Sequence, residues 1–73
     1  MEEIKATLDR YVKHKIPTGG FLEAVLSNDL VGAVSRADSI NSQRIPEIVK
    51  YIYNNLPSNC WGNNETVTKW LNS

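Results

Sequence analysis

One cysteine, one histidine, one methionine and one phenylalanine are all that 73 residues hold of those types, and the scarcity removes whole classes of protein. A single cysteine, Cys60, excludes an internal disulfide framework and suits a reducing compartment. One Cys and one His cannot assemble a Cys/His metal cluster, so no metal or other cofactor is expected. Net charge is absent as well. Eight Lys and Arg balance eight Asp and Glu, and without a broad field no nucleic acid or anionic membrane is expected as a partner. Any bound anion must then be held by local geometry. Long hydrophobic runs are also lacking: "MEEIKATLDRYVKHKIPTGG" mixes charges with isolated apolar residues, unlike a secretory signal or a membrane span. The expectation is a soluble intracellular protein. A chain this short buries only about 60% of the surface its unfolded form exposes, so it forms one marginal core. Oligomerisation is a common remedy, and a homo-oligomer is expected.

What the chain does have is helical periodicity. Ile4, Leu8, Tyr11 and Val12 predict an amphipathic helix over residues 2 to about 14, ended before Pro17 by the restriction proline places on its predecessor. Phe21 to Leu26 reads as a short second helix. Ser27, Asn28 and Asp29 interrupt it, and Asn28 or Asp29 caps a third segment carrying Leu30, Ala33, Val34 and Ala37. The second and third helices are either separate or one bent unit. Ile45, Ile48, Val49, Ile52, Tyr53 and Leu56 follow the helical template throughout. Pro46 places the start of that helix only shortly before it, with Ser42 or Asn41 as cap. The short polar residues of "RADSIN" offer Asp38 or Asn41 in the same role. Pro57 closes the segment, "SNCWGNN" reads as a turn, and "NETVTKWL" supplies a last helix with Val67, Trp70 and Leu71 on one side. No stretch alternates with period two. The fold class is therefore all-α, a compact single domain of four or five short helices over residues 1–73. Its expected core is Leu8, Tyr11, Leu22, Val25, Leu30, Val34, Ile48, Val49, Ile52, Leu56 and Trp70.

The stretches "HKIPTGGFLEAVLSNDL", "RADSIN", "IVKYIYNNLPSNCWG" and "VTKWL" together resemble a family of small proteins encoded by bacteriophages and prophages. Its members carry a similar proline, glycine and "FL-x-AVL-x-NDL" stretch, followed by "Y-x-YN-x-x-P" and "CWG". The likeness covers roughly residues 11 to 71. It implies a helical protein in the cytoplasm of a host bacterium, and by analogy with other small phage proteins a host-directed one. Some such groups are oligomeric sponges that sequester nucleotide immune signals.

Candidate chemistry gathers around the double glycine. Gly19 and Gly20 either turn backbone N–H groups towards a phosphate at the start of the Phe21 helix, or only make a sharp helix-to-helix turn. Arg10, Lys13, His14 and Lys15 are near in sequence and could supply charge-assisted hydrogen bonds to such an anion. His14 is either a titrating ligand or an exposed residue complementing a helix C-terminus. Arg36, between Val34 and Ala37, is either a surface charge or an interface residue that holds a ligand or a neighbouring subunit. Tyr53 and Trp61 could stack on a base or on a partner, or Trp61 could clamp the last helix. Cys60 has no base at motif spacing and reads as a small hydrophobe; Asp29, Asp38 and Glu47 lack metal-ligand spacing. With nucleophile, base and metal clusters missing, the leading expectation is a non-enzymatic protein that oligomerises and sequesters an anionic, nucleotide-like ligand. The alternative is a module that inhibits a host protein through an apolar helical face.

Overall fold

Ile4, Leu8 and Tyr11 are the buried face of the first helix, α1, which runs Glu2–His14. Glu2 and Glu3 sit in its first turn and Lys13 and His14 in its last, matching the sign of the helix dipole at each end. Lys15 closes it in the left-handed conformation (φ 55°), its N–H returning to the Tyr11 carbonyl. The computed structural model describes all 73 residues and adds α2 at Gly20–Leu26, α3 at Leu30–Arg36, α4 at Ser39–Asn55 and α5 at Asn64–Leu71, with a 3-10 turn at Ser58–Cys60. It contains no strand. The all-α, single-core expectation is what the chain forms. Its radius of gyration, 11.1 Å, equals the value of about 11 Å expected of a packed chain this long.

α2 and α3 are separate helices joined by three residues. Asn28 takes the left-handed conformation (φ 62°). Its N–H bonds the Val25 carbonyl at 3.0 Å, and the Asp29 N–H reaches back to the Ala24 carbonyl at 2.8 Å. This is a Schellman termination with asparagine in the usual place of glycine. Asp29 then caps α3, its Oδ1 accepting from the Gly32 N–H at 2.9 Å. One short "SNDL" stretch thus ends one helix and begins the next.

α4 starts earlier than proline placement suggests. Asp38 is the cap, accepting from the Asn41 N–H at 2.7 Å, so Ser42 and Asn41 lie inside the helix and Pro46 sits in its middle. Proline cannot donate to the Ser42 carbonyl one turn earlier. Both residues are exposed, so water can serve that carbonyl, and the helix continues.

Leu8, Tyr11, Leu22, Leu26, Ile48, Ile52, Leu56, Cys60 and Val67 meet in the centre, drawn from α1, α2, α4, the 3-10 turn and α5. Tyr11 ties this core together. Its buried hydroxyl donates to the Cys60 carbonyl at 2.7 Å, while its own carbonyl accepts from Trp70 Nε1 at 2.9 Å. Burial pushes both the Tyr11 hydroxyl and the Cys60 thiol above their ordinary pKa values, so the Tyr11 donor keeps its proton and Cys60 stays a neutral thiol. Val25 and Trp70 are only partly buried against this cluster. Three residues expected inside, Leu30, Val34 and Val49, lie outside it. α3 instead turns Gly32 and Ala33 inward, and residues this small let its backbone approach while the larger side chains face solvent.

Candidate functional site

Two surface regions stand out, one polar and one apolar. The polar region is a cavity of about 260 Å³ between α2, the α2–α3 junction, the end of α3 and the start of α5, lined by Gly20, Glu23, Ala24, Ser27, Asp29, Arg36 and Asn64. Two glycines of its surroundings lie close beneath side chains. The Arg36 side chain crosses Gly20 so closely that a Cβ there would lie 3.2 Å from Cδ. At Gly32 a Cβ would collide with Asp29 Oδ2 and lie 2.8 Å from Arg36 Nη1. Arg36 Nη1 donates to the Gly32 carbonyl at 3.2 Å. The ion pairs of the structure join Glu3 to Arg44, Glu3 to the chain's amino group, and Glu65 to Lys69, and so include none of Glu23, Asp29 and Arg36. Ser27 Oγ is buried without a hydrogen-bond partner.

The residues proposed from sequence as one ligand site fall into separate places. Gly20 and Arg36 meet at this cavity; Arg10, His14, Lys15 and Gly19 do not line it. Arg10 stays on α1, donating to Thr7 Oγ1 at 3.2 Å. His14 is exposed in the last turn of α1. Lys15 Nζ is held 4.8 Å from the centre of the Trp70 ring and donates to Ser73 Oγ at 2.8 Å. Gly19 adopts φ 97° as the residue before α2, the conformation a sharp turn demands and glycine alone accepts readily. The two glycines therefore have different reasons, a backbone turn at Gly19 and a close approach at Gly20. Glu23, Ser27 and Asn64 escaped sequence reasoning because nothing in their spacing signals a shared cavity. Asp29 was legible only as a cap.

The apolar region lies on α3 and α4. Leu30 is 67% exposed, Val31 80%, Val34 53%, Val49 47% and Tyr53 72%. Leu30 and Val49 face a common shallow groove with Val25, Ala33 and Ile45. Val34 lies one turn beyond Leu30, and Tyr53 one turn beyond Val49. At that end Tyr53 meets Trp61 edge to face, ring centres 6.2 Å apart, a geometry favourable to aromatic pairs. Trp61 Nε1 points back to the Leu56 carbonyl at 3.4 Å, which anchors the pair to the end of α4.

No protein-family model, curated protein or solved structure matches the chain. The site must be read from its own chemistry. No group of three or more His, Cys, Asp or Glu side chains is placed to hold a metal ion, and no helix is long and apolar enough to cross a membrane. Cys60, the one thiol, is buried in the core with Sγ directed at the Pro57 carbonyl at 3.1 Å. It packs as a small hydrophobe.

Proposed function

We propose that this is a non-enzymatic binding protein that acts by docking another protein on the apolar face of α3 and α4. The observation that carries this is the set of five exposed apolar side chains, Leu30, Val31, Val34, Val49 and Tyr53. Full burial of such a side chain corresponds to roughly 60–120 Å² of apolar surface at about 25 cal/mol per Å². Together, partly exposed, they offer on the order of 200–400 Å², comparable with the roughly 300–600 Å² of the largest patch on a typical monomer, which is often functional. A standard interface buries about 800 Å² per partner, a little over half of it apolar. These side chains would supply roughly half or more of the apolar part of one such interface, with Tyr53 and Trp61 as the aromatic anchors such surfaces favour. The resemblance to phage-encoded proteins makes a bacterial host protein the proposed occupant, and interference with that protein the proposed outcome.

Sequestration of a nucleotide-like anion has narrower support, namely the meeting of Gly20 and Arg36. Glu23 and Asp29 share that cavity, and two carboxylates to one guanidinium oppose a polyphosphate. The readings separate by experiment. Docking predicts a stoichiometric complex with a host protein that is lost in Val49→Asp while melting temperature is kept. Sequestration predicts a rise in melting temperature with a nucleotide second messenger, unaffected by that substitution. A second copy of the chain is the competing occupant of the face; light scattering identifies it as a concentration-dependent dimer that Val49→Asp abolishes.

A further inference from the structure

The cavity beside Arg36 has a chemistry that the docking face does not use. It is smaller than the roughly 300–1,000 Å³ of pockets for drug-sized ligands. Its 260 Å³ suits a small ligand. Its charges are mixed, and although none of them forms an ion pair, Arg36 and Asp29 lie close to one another across Gly32. Arg36 spends one contact on the Gly32 carbonyl, and a guanidinium has five donors in a fork suited to a carboxylate. Glu23 and Asp29 make no ion pair with it or with any other cation. Asp29 uses Oδ1 to cap α3, while its Oδ2 and Arg36 Nη1 both crowd the point where a Cβ of residue 32 would lie. That arrangement depends on the absence of a side chain at residue 32. Ser27, in the cavity wall, holds a buried hydroxyl with no partner.

An anion alone would face two carboxylates, and a cation alone would face the guanidinium. A molecule bearing both charges satisfies each. We propose that the cavity binds a small zwitterion of the free α-amino-acid class, with its carboxylate on Arg36 and its ammonium on Glu23 and Asp29. Ser27 and Asn64 then supply the neutral hydrogen-bonding groups around it. The inference is independent of protein docking, since none of the exposed apolar side chains of α3 and α4 lines this cavity.

The test is a titration of ¹⁵N-labelled protein with glycine, L-alanine and L-serine, set against acetate, methylammonium and inorganic phosphate at equal ionic strength. At least one amino acid should give saturable shifts at the amides of Gly20, Ser27, Gly32 and Asn64, with each single-charge probe at least tenfold weaker. Arg36→Gln and Glu23→Gln should each weaken binding at least tenfold; Arg36→Lys, which keeps the charge, should retain part of it. Melting temperatures of the three variants verify that the fold is intact. Acetate or phosphate binding as well as the amino acids would overturn the assignment, as would absence of saturation with all three. So would binding indifferent to both glutamine substitutions. Val49→Asp should leave the titration unchanged, which keeps a failure here distinct from a failure of the docking face.

Discussion

Replacing Tyr11 with phenylalanine removes one oxygen from the centre of the molecule and leaves the ring in place. The lost hydroxyl donates to the Cys60 carbonyl at 2.7 Å in a buried site, and the turn carrying that carbonyl links α4 to α5. Deleting one partner of a buried hydrogen bond costs about 1–3 kcal/mol, chiefly the desolvation of the group left behind. A domain of this length has a total stability of roughly 4–11 kcal/mol, so the substitution removes a substantial share. At about 4–8 °C per kcal/mol for domains of this size, the melting temperature should fall by at least about 4 °C. Thermal unfolding followed by circular dichroism and a urea midpoint measured in parallel would check it; an unchanged urea slope keeps the effect on stability alone. A fall of less than about 2 °C would refute the reasoning, because it would mean that the Cys60 carbonyl has another partner or is open to water.

Gly32→Ala should cost about 1–3 kcal/mol, on the scale of overpacking plus a lost cap, because the new Cβ would displace Asp29 from the α3 N-terminus; differential scanning calorimetry checks it, and wild-type stability would place the Asp29 side chain elsewhere. The Glu3 carboxyl is held down to about 2 by its own backbone N–H first, then by Arg44 at 2.7 Å and the chain's amino group. Its contribution is present above the ordinary carboxyl value of 4.5 and is lost as pH falls towards 2. Glu3→Gln should therefore flatten the fall in melting temperature over that window, with the difference from wild type shrinking in high salt because the pair is exposed; parallel pH profiles would show the effect to be missing.

The helices were legible in the sequence because apolar residues repeat every three or four positions in each of them, and α5 falls on the "NETVTKWL" stretch that this pattern marks. The start of α4 was legible only in part: "RADSIN" offered Asp38 as a cap and Asp38 is the cap, whereas Pro46 pointed later, to Ser42 or Asn41, because proline at an exposed position weakens a helix without ending it. The core was legible on α1 but misread on α3. Periodicity says that Leu30 and Val34 share a face; it does not say which face is covered. With Gly32 and Ala33 packed inward, the larger residues face out, and the same uncertainty placed Val49 inside. Of the candidate ligand residues, Gly20 with Arg36 and Tyr53 with Trp61 come together. Arg10, His14 and Lys15 were grouped with the glycines by nearness in the chain, and the left-handed turn at Lys15 takes that side chain to Trp70 instead.

The docking face is tested most directly by placing a photo-reactive phenylalanine analogue at position 53 of the full chain, with the same analogue at the exposed position 13 of α1 as control, and irradiating in a bacterial host. Docking predicts one host protein cross-linked through position 53, none through position 13, and loss of the cross-link when Val49→Asp is added without loss of fold. Cross-links that form equally at both positions, or that join only copies of this chain, would contradict it.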